Sequence, residues 1–239
     1  MNITLSPRLV VLTGIPGAGR STICRELARR ITNAFHMSRD MMNYDGLMLV
    51  SQQSTPRLPD FEQYVARDRV FPDDAEVIET AFGPMTRVHH VAGSDFYRRH
   101  GQEQSLLLQE RLAQEGLVVG KVPILDGFQA RHISSGKMKK FLEPEKFVAY
   151  PKRLIQVVIS DDECLRRHTE RSKNDPELAA RAKYGYTDRE QLLKINRETH
   201  PHMPEGLSEL PHHFIDTTGR TVEDCVEECL KYVRSEDVV

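Results

Sequence analysis

The sequence predicts an α/β fold in which a parallel five-stranded sheet is flanked by helices on both faces. Short apolar runs rich in β-branched residues alternate with longer amphipathic segments along the chain, a pattern typical of strand–helix–strand units. Crossovers of this kind join parallel strands and place helices against the sheet. A glycine-rich turn follows the first apolar run, as in many folds of this class. The predicted strands are at residues 9–13, 33–37, 118–125, 154–159 and 214–216.

The remaining segments complete one predicted domain over residues 1–239. A helix is predicted from about residue 95 to 115, ending at Gly116, because glycine commonly terminates helices. An amphipathic helix is expected at 221–233, and a charged helix beginning near Asp161 is expected to open a helical lid over about residues 161–185. The weakly periodic stretch at about 43–95 predicts a helical insertion, with short helices at 60–69 and 73–81.

Composition restricts the classes of partner and compartment. The chain carries 33 basic and 35 acidic residues, so no global basic field attracts it to nucleic acid, although a local patch still could. The four cysteines contain no CxxC pair, and the spacing of Cys225 and Cys229 leaves open a disulfide or two reduced thiols. Without a signal-peptide pattern or a long apolar run, we expect no membrane partner and a reducing, cytoplasmic location.

Residues 14–22 read GIPGAGRST and lie between a predicted strand and a predicted helix. Glycines let backbone N–H groups surround an anion, and the helix N-terminus adds a partial positive charge. Ser21 is positioned to bind a magnesium ion shared with the phosphates. The alternative is a glycine-rich turn that binds nothing. The predicted nucleotide-binding residues are Gly14, Pro16, Gly17, Ala18, Gly19, Arg20, Ser21 and Thr22.

Arg20 stands where a phosphate-binding loop of this pattern has lysine. Lysine is a compact charge on a flexible stem, whereas the guanidinium is planar and suited to bidentate contacts. A misplaced cation that stabilises the transition state less by about 3 kcal/mol would slow the reaction roughly a hundredfold. Three interpretations remain open: an active enzyme with compensating basic residues, an impaired or purely binding protein, and a chain altered to trap substrate.

Two aspartates follow predicted strands and should converge with the loop at one edge of the sheet. Asp40 is the candidate general base for an acceptor hydroxyl, and its alternative is a helix N-cap. Asp126 could hold a magnesium-bound water or orient the acceptor, and its alternative is a turn-forming residue beside Gly127.

Arginines supply the candidate charge-stabilising groups. Arg167 and Arg171 lie four apart on one helical face and could neutralise phosphate charge, or could belong to a charged surface helix. Arg39 could contact an acceptor phosphate or face solvent. Arg131 belongs to a local basic patch that could receive a nucleic-acid backbone or form a solvated helix face. The other members of that patch are His132, Lys137, Lys139 and Lys140.

In their order along the chain, these motifs resemble small P-loop kinases of the AAA and zeta-toxin-like type, and most of all the kinase domain of phage-type polynucleotide kinases. The motifs are the loop at 14–22, Ser-Arg-Asp at 38–40, Ile-Leu-Asp at 124–126, CLRRHTER at 164–171 and FIDTT at 214–218. The resemblance implies Asp40 as general base, an acidic Asp126 beside the acceptor, lid arginines Arg167 and Arg171, and Thr217 near the adenine.

The resemblance further implies ATP as phosphoryl donor, Mg²⁺ as cofactor and a hydroxyl acceptor on nucleic acid or a nucleotide. That acceptor is expected to be a 5′-hydroxyl end or a hydroxyl of a modified base in DNA. The first alternative is a kinase for a small molecule such as a nucleoside, nucleotide, sugar or antibiotic. The second is a nucleotide-binding module inactivated by Arg20.

Overall fold

The computed structural model describes residues 2–15, 17–38, 49–51, 76–80, 83–87, 102–128, 130–142, 147, 150–174 and 204–235. These residues form eight strands and six α-helices. The strands are β1 (Leu9–Gly14), β2 (Ala34–Ser38), β3 (Leu49–Ser51), β4 (Glu76–Thr80), β5 (Gly83–Arg87), β6 (Val122–Phe128), β7 (Lys152–Val158) and β8 (His212–Asp216). The helices are α1 (Arg20–Arg30), α2 (Gln102–Val118), α3 (Ala130–Ser134), α4 (Lys137–Phe141), α5 (Asp161–Asn174) and α6 (Val222–Arg234).

The chain divides into two compact units, residues 38–112 and the rest. The larger unit contains the predicted parallel five-stranded sheet, with strand order β2-β6-β1-β7-β8. Strand β1 is central, all six of its residues are buried, and it pairs in parallel with β6 and β7. Because successive strands are added on opposite sides of β1, its carboxyl end opens into a crevice where ligands bind in such sheets. The predicted α/β class is confirmed.

Helices α1 and α6 pack together over the apolar core of the larger unit. The buried side of α1 carries Ile23, Cys24 and Leu27, as the helical period requires. Helix α6 begins at Thr221, whose side chain accepts a hydrogen bond from the backbone N–H of Asp224. Its own apolar face buries a further group of residues. These are Cys225, Val226, Cys229, Leu230 and Val233.

Two buried arginines satisfy carbonyl groups at the C-terminal end of α6. Arg8 Nη1 donates to the carbonyl of Val233 at 2.6 Å, and Arg153 Nη2 donates to the carbonyl of Ser235. Arg153 also donates to its neighbour's carbonyl, on Lys152, at 3.1 Å. The last carbonyls of a helix lack intrahelical partners and carry partial negative charge, so the two guanidinium groups stabilise this helix end.

The boundary between α2 and β6 differs from the sequence-based prediction. Helix α2 continues through Gly116 to Val118, and the chain turns at Gly120, whose φ is +80°. Val118 is 71% exposed and belongs to the helix. The strand predicted at 118–125 therefore begins only at Val122, the first residue of β6. Gly116 is a packing residue instead of a helix terminator. A Cβ atom there would lie 2.5 Å from Cε1 of Phe35.

The smaller unit contains an antiparallel sheet of three strands in the order β3-β5-β4. The predicted helix at 73–81 is therefore wrong for residues 76–80, which form β4. Three of those five residues are β-branched, and β-branched side chains favour strands. The predicted helix at 60–69 lies outside the described residues. The division into one domain with an insertion at 43–95 and a lid at 161–185 stays a prediction.

Two shorter features complete the description. The basic segment that contains Arg131 forms two short helices, α3 and α4. Helix α5 provides the first part of the predicted lid, and residues 175–185 lie outside the described part of the chain. Across the ranges that the structure describes, no helix combines the length and apolar character needed to cross a membrane.

Candidate nucleotide-binding site

The loop after β1 depends on glycine for both its backbone conformation and its packing. Gly14, Gly17 and Gly19 have φ values of +139°, +85° and +89°. A Cβ atom on Gly14 would lie 2.0 Å from the carbonyl oxygen of Val157, so a side chain there is excluded. Pro16 lies outside the described residues. The loop therefore has the left-handed glycine conformations from which backbone amides can surround an anion.

Helix α1 begins directly after this loop and suits a bound anion. Its N-cap is Gly19, which offers no side-chain hydrogen bond, and its first turn contains no acidic residue. That turn begins with Arg20, Ser21 and Thr22, three of the predicted nucleotide-binding residues. Since the first amides of a helix lack intrahelical acceptors and the helix N-terminus is partially positive, phosphate oxygens are fitting partners.

Asp126 lies beneath the start of α1, within β6 and not after it as expected from the sequence. Its side chain is 2% exposed and lies close to Ser21. Burial on its own would raise the pKa of Asp126, but nearby His36, the charge of Arg20 and the proximity of Ser21 outweigh burial and lower it. Asp126 is therefore an ionised carboxylate beside Ser21, and the turn-forming alternative does not describe it.

Magnesium fits this pair of oxygen donors. Mg²⁺ prefers hydroxyl, carboxylate, water and phosphate oxygens, and Ser21 and Asp126 supply the first two at the mouth of the loop. Arg20 is close enough for its positive charge to act on this pair. It lowers the pKa of Asp126 and, among opposing effects, also acts to lower the pKa of Cys24. Ser21 and Asp126 could hold a magnesium–phosphate complex, with Arg20 adding positive charge.

Thr217 connects the end of β8 to the loop. Its hydroxyl lies 3.0 Å from the carbonyl of Ala18 and 3.2 Å from that of Val158, and donates to these acceptors. Thr217 is 3% exposed. The resemblance placed this residue near the adenine, whereas its described contacts are with the phosphate loop and with β7. Its contribution in the structure is to hold the carbonyl of Ala18 in place.

Arg167 lies on α5 against the same loop. Its Nη2 donates to the carbonyl of Thr217 at 2.7 Å, and its Nε donates to Glu163 at 2.8 Å. A Cβ atom placed on Gly19 would be 3.6 Å from Nη1 of Arg167. The guanidinium is therefore oriented by two partners next to the first turn of α1, where phosphate charge would accumulate.

The other predicted residues are not all brought to this place. Arg166, which is not among the predicted site residues, pairs with Glu163 and Glu170 at 2.7 Å on the exposed side of α5. Arg171 is in the same helix and Arg131 in α3, but the structure describes neither side chain. In the predicted basic patch, His132 is buried and Lys139 pairs with Glu209 at 3.1 Å. Arg39 and Asp40 lie outside the described residues.

Sequence reasoning missed three residues beside the site. His36 Nε2 lies 3.6 Å from Oδ2 of Asp126, Cys24 lies on the buried face of α1, and Glu163 orients Arg167. The spacing of Glu163 and Arg167, four apart in a helix, could have indicated that pair. His36 and Asp126 are ninety positions apart, and only the pairing of their strands could have indicated their contact.

Comparison with known proteins gives structural likeness without sequence likeness. No protein-family model and no curated protein matches the sequence. A protein of Chloroflexus aurantiacus, provisionally assigned as a kinase, is similar with a TM-score of 0.53 and 16% identity, covering 97% of this chain and 98% of its own. The protein APE1195 is similar with a TM-score of 0.50 and 18% identity, covering 95% of both chains.

A weaker likeness, with a TM-score of 0.44 and 12% identity, is to thymidylate kinase from Candida albicans, over 95% of this chain and 91% of that one. The two stronger likenesses extend over nearly the whole chain. This chain shares the fold of those two proteins, with its parallel five-stranded sheet flanked by helices.

Proposed function

We propose that the protein is an ATP-dependent phosphotransferase that moves the γ-phosphoryl group to a hydroxyl of a nucleic acid or nucleotide. The observation that carries the proposal is the convergence of the glycine loop, the Ser21–Asp126 pair and the oriented Arg167 at the start of α1. An anion surface, a pair of oxygen donors and a directed cation are the parts that phosphoryl transfer requires.

The loop and its neighbours supply binding and charge stabilisation. Amides of the loop and of the first turn of α1 hold phosphate oxygens, while Arg20 and Arg167 add positive charge from two sides. Ser21 and Asp126 would hold magnesium, which would supply further neutralisation of the phosphate charge when bound. Because these groups are fixed before the substrate arrives, they need little reorganisation as charge moves to the leaving oxygen.

Acceptor activation is assigned to Asp40, with Arg39 contacting an acceptor phosphate. Both assignments depend on the resemblance to polynucleotide kinases, since these residues lie outside the described part of the chain. A carboxylate within hydrogen-bond reach of a hydroxyl gives its proton a destination as the hydroxyl attacks. Arg171, Arg131 and the acceptor itself, a 5′-hydroxyl end or a hydroxylated base, belong to the same proposal.

A small-molecule kinase is the second candidate, and two observations favour it. The chain has almost balanced charge. The predicted basic patch also offers less positive charge to a partner, because His132 is buried and Lys139 is paired with Glu209. Salt separates the two candidates. A polynucleotide releases many counterions on binding, so its affinity should fall steeply with salt, whereas a nucleoside should bind almost independently of salt.

The experiment is transfer of label from γ-labelled ATP with magnesium, using the protein and its Arg20→Lys variant. The acceptors are a 5′-hydroxyl oligonucleotide, DNA with hydroxylated bases, and a panel of nucleosides and nucleotides. Arg29→Lys is the matched control, since Arg29 is an exposed arginine of the same helix paired with Glu26. Label in an acceptor supports the kinase and identifies its substrate class.

Two other outcomes redirect the proposal. Transfer by Arg20→Lys alone would identify Arg20 as a disabling residue on a kinase scaffold. Binding of ATP by both forms with transfer by neither would remove the phosphotransferase proposal and leave a nucleotide-binding module.

A further inference from the structure

A thiol, an imidazole and a carboxylate from three different elements meet inside the larger unit. Cys24 lies on α1, His36 on β2 and Asp126 on β6. One candidate ligand atom of each residue lies within 4.8 Å of those of the other two. Within the described ranges, this is the one group of three or more His, Cys, Asp or Glu residues that converges in this way.

We propose that Cys24, His36 and Asp126 bind a divalent transition-metal ion of the zinc class. The donors identify the metal class, because sulfur and imidazole nitrogen favour zinc and its neighbours, whereas magnesium prefers oxygen alone. The proposal does not depend on phosphoryl transfer. It concerns the contacts that Asp126 makes with Cys24 and His36 and needs no bound nucleotide.

The distances suit a tetrahedral ion with small adjustments. Zinc lies about 2.3 Å from sulfur and about 2.0–2.2 Å from nitrogen and oxygen, so its ligand atoms are roughly 3.3–3.6 Å apart. His36 Nε2 and Asp126 Oδ2 are already 3.6 Å apart. The Cys24 sulfur, at most 4.8 Å from the other two atoms, has to approach by no more than about 1.5 Å. Rotation of one side chain supplies such a movement.

The electrostatics also fit a cation at this point. His36 Nε2 is buried and makes no hydrogen bond to any described residue, yet it lies beside a carboxylate. An ion between the imidazole nitrogen and the carboxylate would be bound by both groups. A divalent ion bound to one thiolate and one carboxylate is also neutral overall, which limits the cost of its burial.

Binding exchanges a proton for the metal at Cys24. Burial, followed by the charge of Asp126, raises the pKa of the Cys24 thiol well above its usual range, so the thiol is protonated before metal binds. On binding, the S–H bond breaks, the sulfur–metal bond forms, and one proton passes to solvent. No electron is transferred. Three protein donors leave a fourth tetrahedral position for water or another small ligand.

The test uses the full chain, without nucleotide, titrated with Co²⁺ as a spectroscopic substitute for Zn²⁺. Absence of nucleotide keeps the result independent of the proposed kinase activity. We expect one cobalt ion per chain, with a thiolate-to-cobalt charge-transfer band that Zn²⁺ abolishes and excess Mg²⁺ does not. Cys24→Ala should remove the band, and His36→Gln should weaken binding by more than about a hundredfold, beyond the loss that follows from removing a residue outside the ligand set.

Cys225→Ala is the matched control, because Cys225 is also a buried free cysteine but lies on α6 outside the cluster. It should keep the full band, and circular dichroism should show that each variant is folded. The proposal is overturned if the folded wild type gives no thiolate band, if Cys24→Ala retains the band, or if Mg²⁺ displaces cobalt. The His36–Asp126 contact is then a structural contact that binds no metal.

Discussion

Arg167 and Thr217 are joined by a 2.7 Å hydrogen bond from the guanidinium to the backbone carbonyl. The hydroxyl of Thr217 in turn donates to the carbonyl of Ala18 in the glycine loop. The middle of α5, the end of β8 and the loop are therefore connected through two residues. The position of the cation and the shape of the anion site depend on the same contacts.

Replacement of Arg167 should reduce phosphoryl transfer far more than replacement of its neighbour. Arg167→Ala removes a cation held beside the first turn of α1, so transfer should fall by about a hundredfold or more. Arg166→Ala removes only exposed ion pairs with Glu163 and Glu170 and should change the rate less than about threefold. Single-turnover rates at saturating ATP compare the two. Equal losses would show that Arg167 has no special role.

Removal of the Thr217 hydroxyl should loosen the loop. Thr217→Val keeps the shape of the side chain but leaves the carbonyl of Ala18 without this donor, so ATP affinity should fall about fivefold to tenfold. Stability should fall by about 1 kcal/mol. Calorimetric titration and urea unfolding measure the two effects. Thr32→Val, at an exposed threonine whose hydroxyl contacts Thr4 and Ile3, is the control and should leave ATP affinity unchanged.

Acid should weaken the ion-pair network of α5. Hydrogen bonds from Arg166, then from Arg167, lower the pKa of Glu163 from 4.5 to about 2. A lowered pKa in the folded state stabilises the protein above the unfolded value, and this contribution is lost as pH falls from about 4.5 towards 2. The difference in urea midpoint between the wild type and Glu163→Gln should therefore shrink through this interval. A difference that stays constant would contradict the assignment.

The arginines at the end of α6 should contribute to stability and not to binding. Arg153→Met leaves the carbonyl of Ser235 without its charged donor inside the protein, and we expect a loss of about 2 kcal/mol in the free energy of unfolding. ATP affinity should be unaffected, because Arg153 pairs with Val10 near the start of β1, while the loop follows the end of that strand. Arg29→Met, at an exposed position, should change stability little.

Local patterns were sufficient to predict much of the fold. The β-branched runs of β1 and β7 are buried on both faces, which makes them easy to recognise. Thr221 as an N-cap and the apolar stripe that follows it define α6. The conformation of the loop could be predicted from its glycines, because only glycine readily takes the backbone angles found there.

Other features depend on contacts between distant parts of the chain. Gly116 resembles a helix terminator in sequence, but the approach of Phe35 from β2 explains the glycine. The segment that forms β4 has mixed periodicity, and its pairing with β5 makes it a strand. The meeting of Cys24, His36 and Asp126 requires β6 to lie between β2 and β1, an order that no local pattern specifies.

The most direct test of the central claim is ATP binding by two glycine variants. Gly17 and Gly120 both have positive φ, +85° and +80°, so alanine introduces similar backbone strain at either position. Gly17 lies in the glycine loop, and a Cβ atom there would also lie 2.9 Å from the sulfur of Cys164 on α5. A Cβ atom at Gly120 would have no neighbouring atom within 4 Å. Calorimetry with magnesium should show ATP binding by the wild type and Gly120→Ala, and at least about tenfold weaker binding by Gly17→Ala. Equal affinities for all three proteins, or no binding by the wild type, would contradict the account.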